Sequence, residues 1–154
     1  MTNKEKVSAI IAAAGNSQRM GGTDKMFALL AGRPVLARVI DTFEKCQSID
    51  QIIVVVSSKN VEKCRRLVAA EKWSKVTDVC PGGKLRQDSV AEGLKRLKYA
   101  AWVVIHDGAR PFVTNDLIVK GLEAAKETGA AAAAVPVTDT VKVAGADDIV
   151  RQTL

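Results

Sequence analysis

Residues 10–25 have the residue types of a phosphate-binding loop. They read I-I-A-A-A-G-N-S-Q-R-M-G-G-T-D-K, so an apolar strand gives way to small residues and then to two cations. The small residues are Ala12, Ala13, Ala14, Gly15 and Ser17. Because such side chains do not shield the backbone, consecutive N–H groups can approach phosphate oxygens. Arg19 and Lys25 add full positive charge, so the segment predicts a site for a triphosphate.

This loop follows neither of the two common phosphate-binding motifs. It lacks the G-K-[ST] ending of a P-loop and the G-x-G-x-x-G of a dinucleotide fold. No acidic residue closes the apolar run at residues 52–56, where a dinucleotide site carries its ribose-binding carboxylate. The alternative to a phosphate site is a tight strand-to-helix turn with solvated cations.

Two further segments place polar residues directly after apolar runs. Residues 80–90 read C-P-G-G-K-L-R-Q-D-S-V, which predicts a strand leaving through Gly82 and Gly83 into a helix with Ser89 in its first turns. A helix N-terminus offers backbone N–H groups to an anion. Residues 106–111 read H-D-G-A-R-P, where Asp107 is well placed to hold a divalent cation and Arg110 lies three residues on.

His106 and Asp107 each have a structural alternative to a chemical role. As the only histidine, His106 is a candidate general base. A single histidine beside a buried strand end is more often a packed, hydrogen-bonded side chain, and that is the interpretation we prefer. For Asp107 the alternative is a structural cap of the turn.

The order of apolar runs indicates an α/β fold. Apolar, β-rich runs occur at residues 7–13, 52–56, 76–80, 102–106 and 131–137, and helical periodicity occurs at residues 35–45, 61–71, 87–97 and 115–128. Uniformly apolar strands are typical of a mostly parallel sheet that is buried on both faces. We therefore expect a three-layer α/β/α, Rossmann-like fold, with ligands at the carboxyl ends of the strands.

The pattern changes after Pro136. Two short alternating runs around residues 144–148 predict a β-hairpin. We therefore divide the chain into a core at residues 1–138 and the start of a protruding β-arm at residues 139–154. A terminal hairpin is marginal alone, so we expect the arm to pack on something else, such as a second subunit.

The bulk properties exclude several classes of protein. A chain of 154 residues with 47% hydrophobic content fits one globular domain, and no apolar run could span a bilayer. The net charge is +6, but aromatics are only 4% and the cations are dispersed, which favours a small anionic substrate over nucleic acid. The alternative is a solvated basic surface.

Cellular location is predicted from the N-terminus and the cysteines. Residues 1–6 are polar and no signal region follows, so we expect a cytoplasmic protein. Cys46, Cys64 and Cys80 are widely spaced without a C-x-x-C pair, which indicates reduced, packing cysteines.

Taken together, the motifs resemble the 2-C-methyl-D-erythritol 4-phosphate cytidylyltransferase family. The matching segments are A-A-A-G-N-S-Q-R-M-G-G-T-D-K, P-G-G-K-L-R-Q-D-S-V, H-D-G-A-R-P and V-T-D-T-V-K, in the family's order and over the whole chain. The resemblance implies a nucleotidyltransferase of non-mevalonate isoprenoid biosynthesis. That enzyme would join CTP to methylerythritol phosphate and release pyrophosphate, with Mg²⁺ as cofactor and a homodimer whose arm reaches the neighbouring subunit.

The resemblance also implies roles for individual residues. Arg19 and Lys25 would be catalytic, holding the triphosphate and stabilising the charge that develops on it. Asp107 would hold Mg²⁺, while Arg110 and Thr140 would contact the sugar phosphate. Gly83 and Ser89 would read cytosine and ribose, and Gly108 would line the ribose. The full set of nucleotide-binding residues would be Ala13, Ala14, Gly15, Ser17, Gly83, Ser89 and Gly108.

This sequence also departs from the family's pattern. Asp24 and Met26 stand where a proline and a glutamine are usual, and Lys84 stands where an acidic residue is often found. Family members continue beyond the equivalent of Leu154, so we expect a fragment or a natural truncation that does not catalyse transfer alone. Two alternatives to the methylerythritol enzyme stay open, namely a ribitol-5-phosphate cytidylyltransferase and a non-catalytic, CTP-binding remnant.

Overall fold

A parallel sheet forms the centre of the computed structural model, which describes residues 5–15 and 25–154. The sheet has four strands in the order β5-β4-β1-β6, and every neighbouring pair is parallel. Its members are β1 (Val7–Ala13), β4 (Gln51–Val56), β5 (Val76–Pro81) and β6 (Trp102–Asp107). Two short strands, β2 (Leu29–Leu30) and β3 (Arg33–Pro34), form a separate antiparallel ladder.

Helices cover both faces of this sheet, as the predicted three-layer fold requires. They are α1 (Val35–Lys45), α2 (Val61–Glu71), α3 (Arg86–Leu94) and α4 (Asn115–Thr128), with a single 3-10 turn at Ser58–Asn60 before α2. Residues of α1, α2 and α4 share one core with one face of the sheet. The opposite face, with Ile10, Ile53 and Val55, forms a second and smaller core. A Cβ on Gly93 of α3 would lie 2.7 Å from Ile10 Cγ2, so α3 packs closely against that face.

Local signals explain where the longest helix begins and ends. The hydroxyl of Thr114 accepts a hydrogen bond from the Leu117 N–H at 3.2 Å, which satisfies one free donor of the first turn of α4. Gly129 closes the helix with φ at 87°, a left-handed conformation that glycine adopts without strain.

Burial of the sheet is uneven, and one predicted strand is absent. Strands β1 and β4 are buried on both faces, but β6 is half-buried and Ile105 is 42% exposed. The prediction of a strand at residues 131–137 was wrong, because this segment is exposed and pairs with no strand. Its alanines have low β-propensity and bury little apolar area, so the apolar composition alone did not place the segment in the sheet.

The predicted hairpin is present near the end of the chain. Strands β7 (Lys142–Ala144) and β8 (Val150–Thr153) form an antiparallel ladder with a register shift between Val143 and Ala144. Both strands are exposed throughout.

The cysteines are free and buried, as expected from their spacing. Desolvation raises the pKa of the Cys64 thiol to about 12 and raises that of Cys80. Both thiols therefore stay protonated and unreactive at neutral pH.

An ion-pair network joins β3 to α1 and α2. The Arg33 guanidinium donates to both Asp41 oxygens, at 2.8 and 3.0 Å, and to Glu71 at 2.8 Å. These bonds, that to Asp41 foremost, raise the pKa of Arg33 above its usual value. Trp73 Nε1, on a side chain that is 8% exposed, donates to Asp41 Oδ1 at 2.9 Å. Asp41 is therefore the acceptor that holds both Arg33 and Trp73 in this network.

We predict that Asp41→Asn lowers the free energy of unfolding by about 1–2 kcal/mol, after discounting charge-assisted hydrogen bonds for partial exposure. The asparagine side chain has the shape of the aspartate, but its NH₂ group is a donor and would face a donor of Arg33 or Trp73 where the carboxylate accepted a hydrogen bond. Asp116→Asn is the matched control, because its pair with Lys120 is exposed on both sides at 73% and 70%. That control should change stability by less than about 0.5 kcal/mol. Chemical denaturation measures both, and equal effects would contradict the assignment.

Candidate functional site

Strand register brings three chain segments to one edge of the sheet. Ala12 of β1 pairs with Asp107 of β6, Ala13 pairs with Val56 of β4, and Val56 pairs with Pro81 of β5. The segments that follow β1, β5 and β6 therefore leave the sheet at the same level, as expected for parallel strands.

These segments enclose a cleft of about 250 Å³. Six residues singled out from the sequence line it, namely Ala13, Ala14, Gly15, Gly83, Ser89 and Asp107. The remaining lining residues are Ala12, Met26, Lys84, Leu85 and Arg86. The sequence argument thus located most of one cleft from three separate motifs.

Other candidate residues lie elsewhere. Lys25 is half-buried, Arg110 lies beside the cleft against Asp107, and Thr140 is exposed in the segment before β7. None of these three lines the cleft. Ser17 and Arg19 lie outside the described residues.

Gly82 and Gly108 allow backbone segments to approach closely at the site. The Gly82 N–H donates to the Val56 carbonyl at 2.8 Å, and a Cβ there would overlap Ala14 Cβ and lie 2.6 Å from Ser89 Oγ. At Gly108 a Cβ would lie 2.8 Å from Ala13 Cβ, so this glycine is buried behind β1 and does not line the cleft. Larger residues would push the segments apart.

The first turn of α3 is closed by its own residues. Asp88 Oδ2 accepts from the Leu85 N–H at 3.0 Å, which is half of a capping box. Ser89 is 4% exposed, and its hydroxyl donates to the Leu85 carbonyl at 3.2 Å. The hydroxyl oxygen still has acceptor capacity toward a ligand in the cleft.

Asp107 is paired with two arginines. Its Oδ1 lies 2.8 Å from Arg86 Nε, and its Oδ2 lies 3.1 Å from Arg110 Nε. Arg86, the first residue of α3, was missed by the sequence argument. The sequence did contain a signal for Arg86. It is a cation at the predicted start of a helix that follows a glycine-containing loop, and it lies between the candidate site residues Gly83 and Ser89.

His106 has a structural position. Its Nε2 lies 3.0 Å from the Arg110 carbonyl oxygen, which can only accept, so Nε2 carries the proton. The ring also packs against Phe43 with 5.3 Å between centroids. Burial lowers the pKa of His106, and the bond to the Arg110 carbonyl opposes that shift in part. The preferred interpretation of a packed, hydrogen-bonded histidine is therefore confirmed.

The site carries more positive than negative charge. Lys84 and Arg86 line it and Arg110 adjoins it, whereas Asp107 is the single acidic residue among the described residues of the lining. Within residues 5–15 and 25–154, no three potential metal ligands among His, Cys, Asp and Glu lie together. The arrangement suits a polyanion held by backbone groups and cations, with the carboxylate of Asp107 available to a cation.

No helix in the described part of the chain is both long enough and apolar enough to cross a bilayer.

Comparison with known proteins gives one consistent match. The model of the family described as 2-C-methyl-D-erythritol 4-phosphate cytidylyltransferase matches residues 7–154. A relative of that name from Dehalococcoides mccartyi strain CBDB1 is 51% identical over 150 residues, which are 97% of this chain and 66% of the relative. A bifunctional enzyme IspD/IspF from Desulforudis audaxviator is 48% identical over 139 residues, which are 89% of this chain and 35% of the relative.

Solved structures agree with the sequence relatives. The crystal structure of a 4-diphosphocytidyl-2C-methyl-D-erythritol synthase from Anaerococcus prevotii superposes with a TM-score of 0.81 and 30% identity, covering 97% of this chain and 64% of that one. The predicted α/β fold is thereby confirmed. The chain spans 66% of the length of the Dehalococcoides relatives that it matches.

We predict that His106 makes the protein less stable as the pH falls below about 6.5, its ordinary pKa. The native pKa is lower, so between the two values the unfolded chain binds a proton that the native state does not. His106→Gln keeps a donor for the Arg110 carbonyl and removes this titration. The free energy of unfolding, measured at about pH 7 and about pH 5, should fall less in the variant. Identical losses would contradict the prediction.

Proposed function

The chain belongs to the 2-C-methyl-D-erythritol 4-phosphate cytidylyltransferase family, and we propose that its complete protein catalyses the reaction in that name. CTP and methylerythritol phosphate would give 4-diphosphocytidyl-2-C-methyl-D-erythritol and pyrophosphate. The observation that carries the proposal is the cationic cleft at the carboxyl edge of the sheet, assembled from three of the four motifs of the resemblance.

The cleft supplies contacts for a nucleotide. The small residues Ala13, Ala14 and Gly15 leave backbone groups open to phosphate oxygens, and the cations of the cleft complement the charge. Gly83 and Ser89 also line the cleft, and we place the cytosine and ribose against them. Recognition through backbone groups in a cleft of this size favours a pyrimidine over a purine.

Transfer needs no covalent intermediate with the protein. A phosphate oxygen of the acceptor attacks the α-phosphorus of CTP and forms the new O–P bond. The bond from that phosphorus to the oxygen bridging the β-phosphate breaks, and pyrophosphate leaves with the electron pair. Because the acceptor phosphate is already ionised at neutral pH, positioning and charge neutralisation supply the catalysis. In the proposal, Arg19 and Lys25 hold the triphosphate and stabilise the developing charge.

The donor set at Asp107 fits Mg²⁺. This ion is ordinarily held by one or two carboxylates together with substrate phosphates and water, and Asp107 is a carboxylate at the cleft with 28% of its side chain exposed. A bound Mg²⁺ would neutralise charge on the triphosphate. We therefore assign Asp107 as its protein ligand.

Arg110 and Thr140 are proposed to contact the sugar phosphate. Thr140 precedes the β7–β8 hairpin, on which Val143, Ile149 and Val150 are 42%, 56% and 53% exposed. We propose that the hairpin covers these side chains against a second copy of the chain in a homodimer. A monomeric mass measured by sedimentation would contradict the proposed homodimer.

The free, buried cysteines favour a reducing, cytoplasmic location.

The decisive experiment measures pyrophosphate release by the complete protein with CTP, Mg²⁺ and either acceptor. We predict turnover with methylerythritol phosphate, little with ribitol 5-phosphate, and preference for CTP over ATP and GTP. Faster turnover with ribitol 5-phosphate would identify the ribitol enzyme instead. Calorimetric binding of CTP without turnover on either acceptor would identify a non-catalytic nucleotide-binding protein.

Lys25→Ala should lower kcat by about 100-fold or more, as is usual when a group that stabilises transition-state charge is removed. Arg19→Ala should behave alike. Lys120→Ala is the matched control, since Lys120 is an exposed lysine of α4 and its loss should leave kcat unchanged. Steady-state kinetics of the three variants provide the measurement. Full activity of the Lys25 variant would refute its catalytic assignment.

A further inference from the structure

Arg86 is a cleft residue to which the proposed function assigns no individual role. It begins α3, and its Nε donates to Oδ1 of Asp107, the last residue of β6 and also a cleft residue, at 2.8 Å. The arginine side chain is 60% exposed and the carboxylate only 28%. The pair thus joins α3 to β6 at Asp107, the residue proposed above as the Mg²⁺ ligand.

Arg110 binds the same carboxylate in a different way. It is three residues from Asp107, its Nε lies 3.1 Å from Oδ2, and its N–H donates to the Asp107 carbonyl at 3.0 Å. That contact belongs to one turn of the chain. Arg86, in contrast, approaches from a separate helix and can leave Asp107 without disturbing the turn.

Two physical effects oppose a divalent cation at this carboxylate. The guanidinium of Arg86 occupies Oδ1, and its positive charge repels a second cation nearby. A triphosphate reverses both effects, because it brings several negative charges and offers Arg86 phosphate oxygens in planar, two-pronged geometry.

We propose that Arg86 makes cation binding at Asp107 depend on the nucleotide. Without nucleotide, Arg86 holds Oδ1 and keeps the affinity for a divalent cation low. When the triphosphate enters, Arg86 exchanges the carboxylate for phosphate and Oδ1 of Asp107 becomes free to bind the cation, while Arg110 stays at Oδ2. This inference rests on the proposed function, since it takes a triphosphate to be the ligand of the cleft.

The test measures Mn²⁺ binding to the complete protein by electron paramagnetic resonance, without nucleotide. Arg86→Gln should bind Mn²⁺ about five- to tenfold more tightly than the wild type, at the lower end of usual coupling between sites. Arg96→Gln is the matched control: it removes the same charge from a 3.0 Å pair with Asp78, also between the α3 region and a strand. Its Mn²⁺ affinity should equal that of the wild type.

Two further measurements locate the effect. Adding Asp107→Asn to Arg86→Gln should abolish the gain in Mn²⁺ affinity. Calorimetric titration with CTP, with and without Mn²⁺, should show a smaller mutual enhancement in Arg86→Gln than in the wild type, because coupling is reciprocal.

Unchanged or weaker Mn²⁺ binding in Arg86→Gln overturns the inference, and so does the absence of Mn²⁺ binding in every variant. The weaker result would mean that Arg86 instead orients the carboxylate for the cation. The proposed function fails separately, through absence of CTP binding to the wild type. A wild type that binds CTP normally while Arg86→Gln shows no gain leaves the function standing and removes only the role of Arg86.

Discussion

The parallel pairing of β1 between β4 and β6 is the constraint on which the site depends. Because Ala12 is level with Asp107 and Ala13 with Val56, the loops after separate strands begin at the same height. Neighbouring strands lie about 4.8 Å apart, so the ends of β5 and β6, at opposite edges of the four-stranded sheet, are about 14 Å from each other, a span suited to the proposed nucleotide as a whole. A one-residue slip of β1 would exchange Ile10 and Ile11 between the two cores, so the specific packing of both cores fixes the register.

Close packing then sets the distance between the walls of the cleft. Gly82 lets the end of β5 lie directly against Ala14 and Ser89, while Gly108 lets the turn after β6 lie behind Ala13. The Gly82 N–H and Gly108 N–H also donate to carbonyls of the adjacent strands, at 2.8 and 2.9 Å. The turns beside the cleft are thus tied to the sheet at these two positions.

Much of this arrangement could be predicted from the sequence, and the exceptions have physical reasons. The bounds predicted for α1, α2 and α4 match the structure, because each segment has a clear apolar period, and α4 also has the end signals Thr114 and Gly129. The strand predicted at residues 131–137 was wrong because local composition does not show whether a segment finds a strand edge to pair with. Arg86 was missed for a similar reason: its importance comes from Asp107, 21 positions away along the chain, and a charged residue at the start of a helix is ordinary.

His106, the histidine beside the cleft, is held in a structural hydrogen bond, which is consistent with the proposed catalysis by positioning and charge neutralisation and without a general base. His106 is the natural candidate for a general base, yet its Nε2 proton is committed to the Arg110 carbonyl and burial lowers its pKa. That bond fixes the turn that carries both Asp107 and Arg110. In the proposed reaction the phosphate nucleophile is ionised before it arrives, so a base would have no proton to remove. On this proposal the histidine stabilises the turn, and catalysis depends on how cations are placed around Asp107.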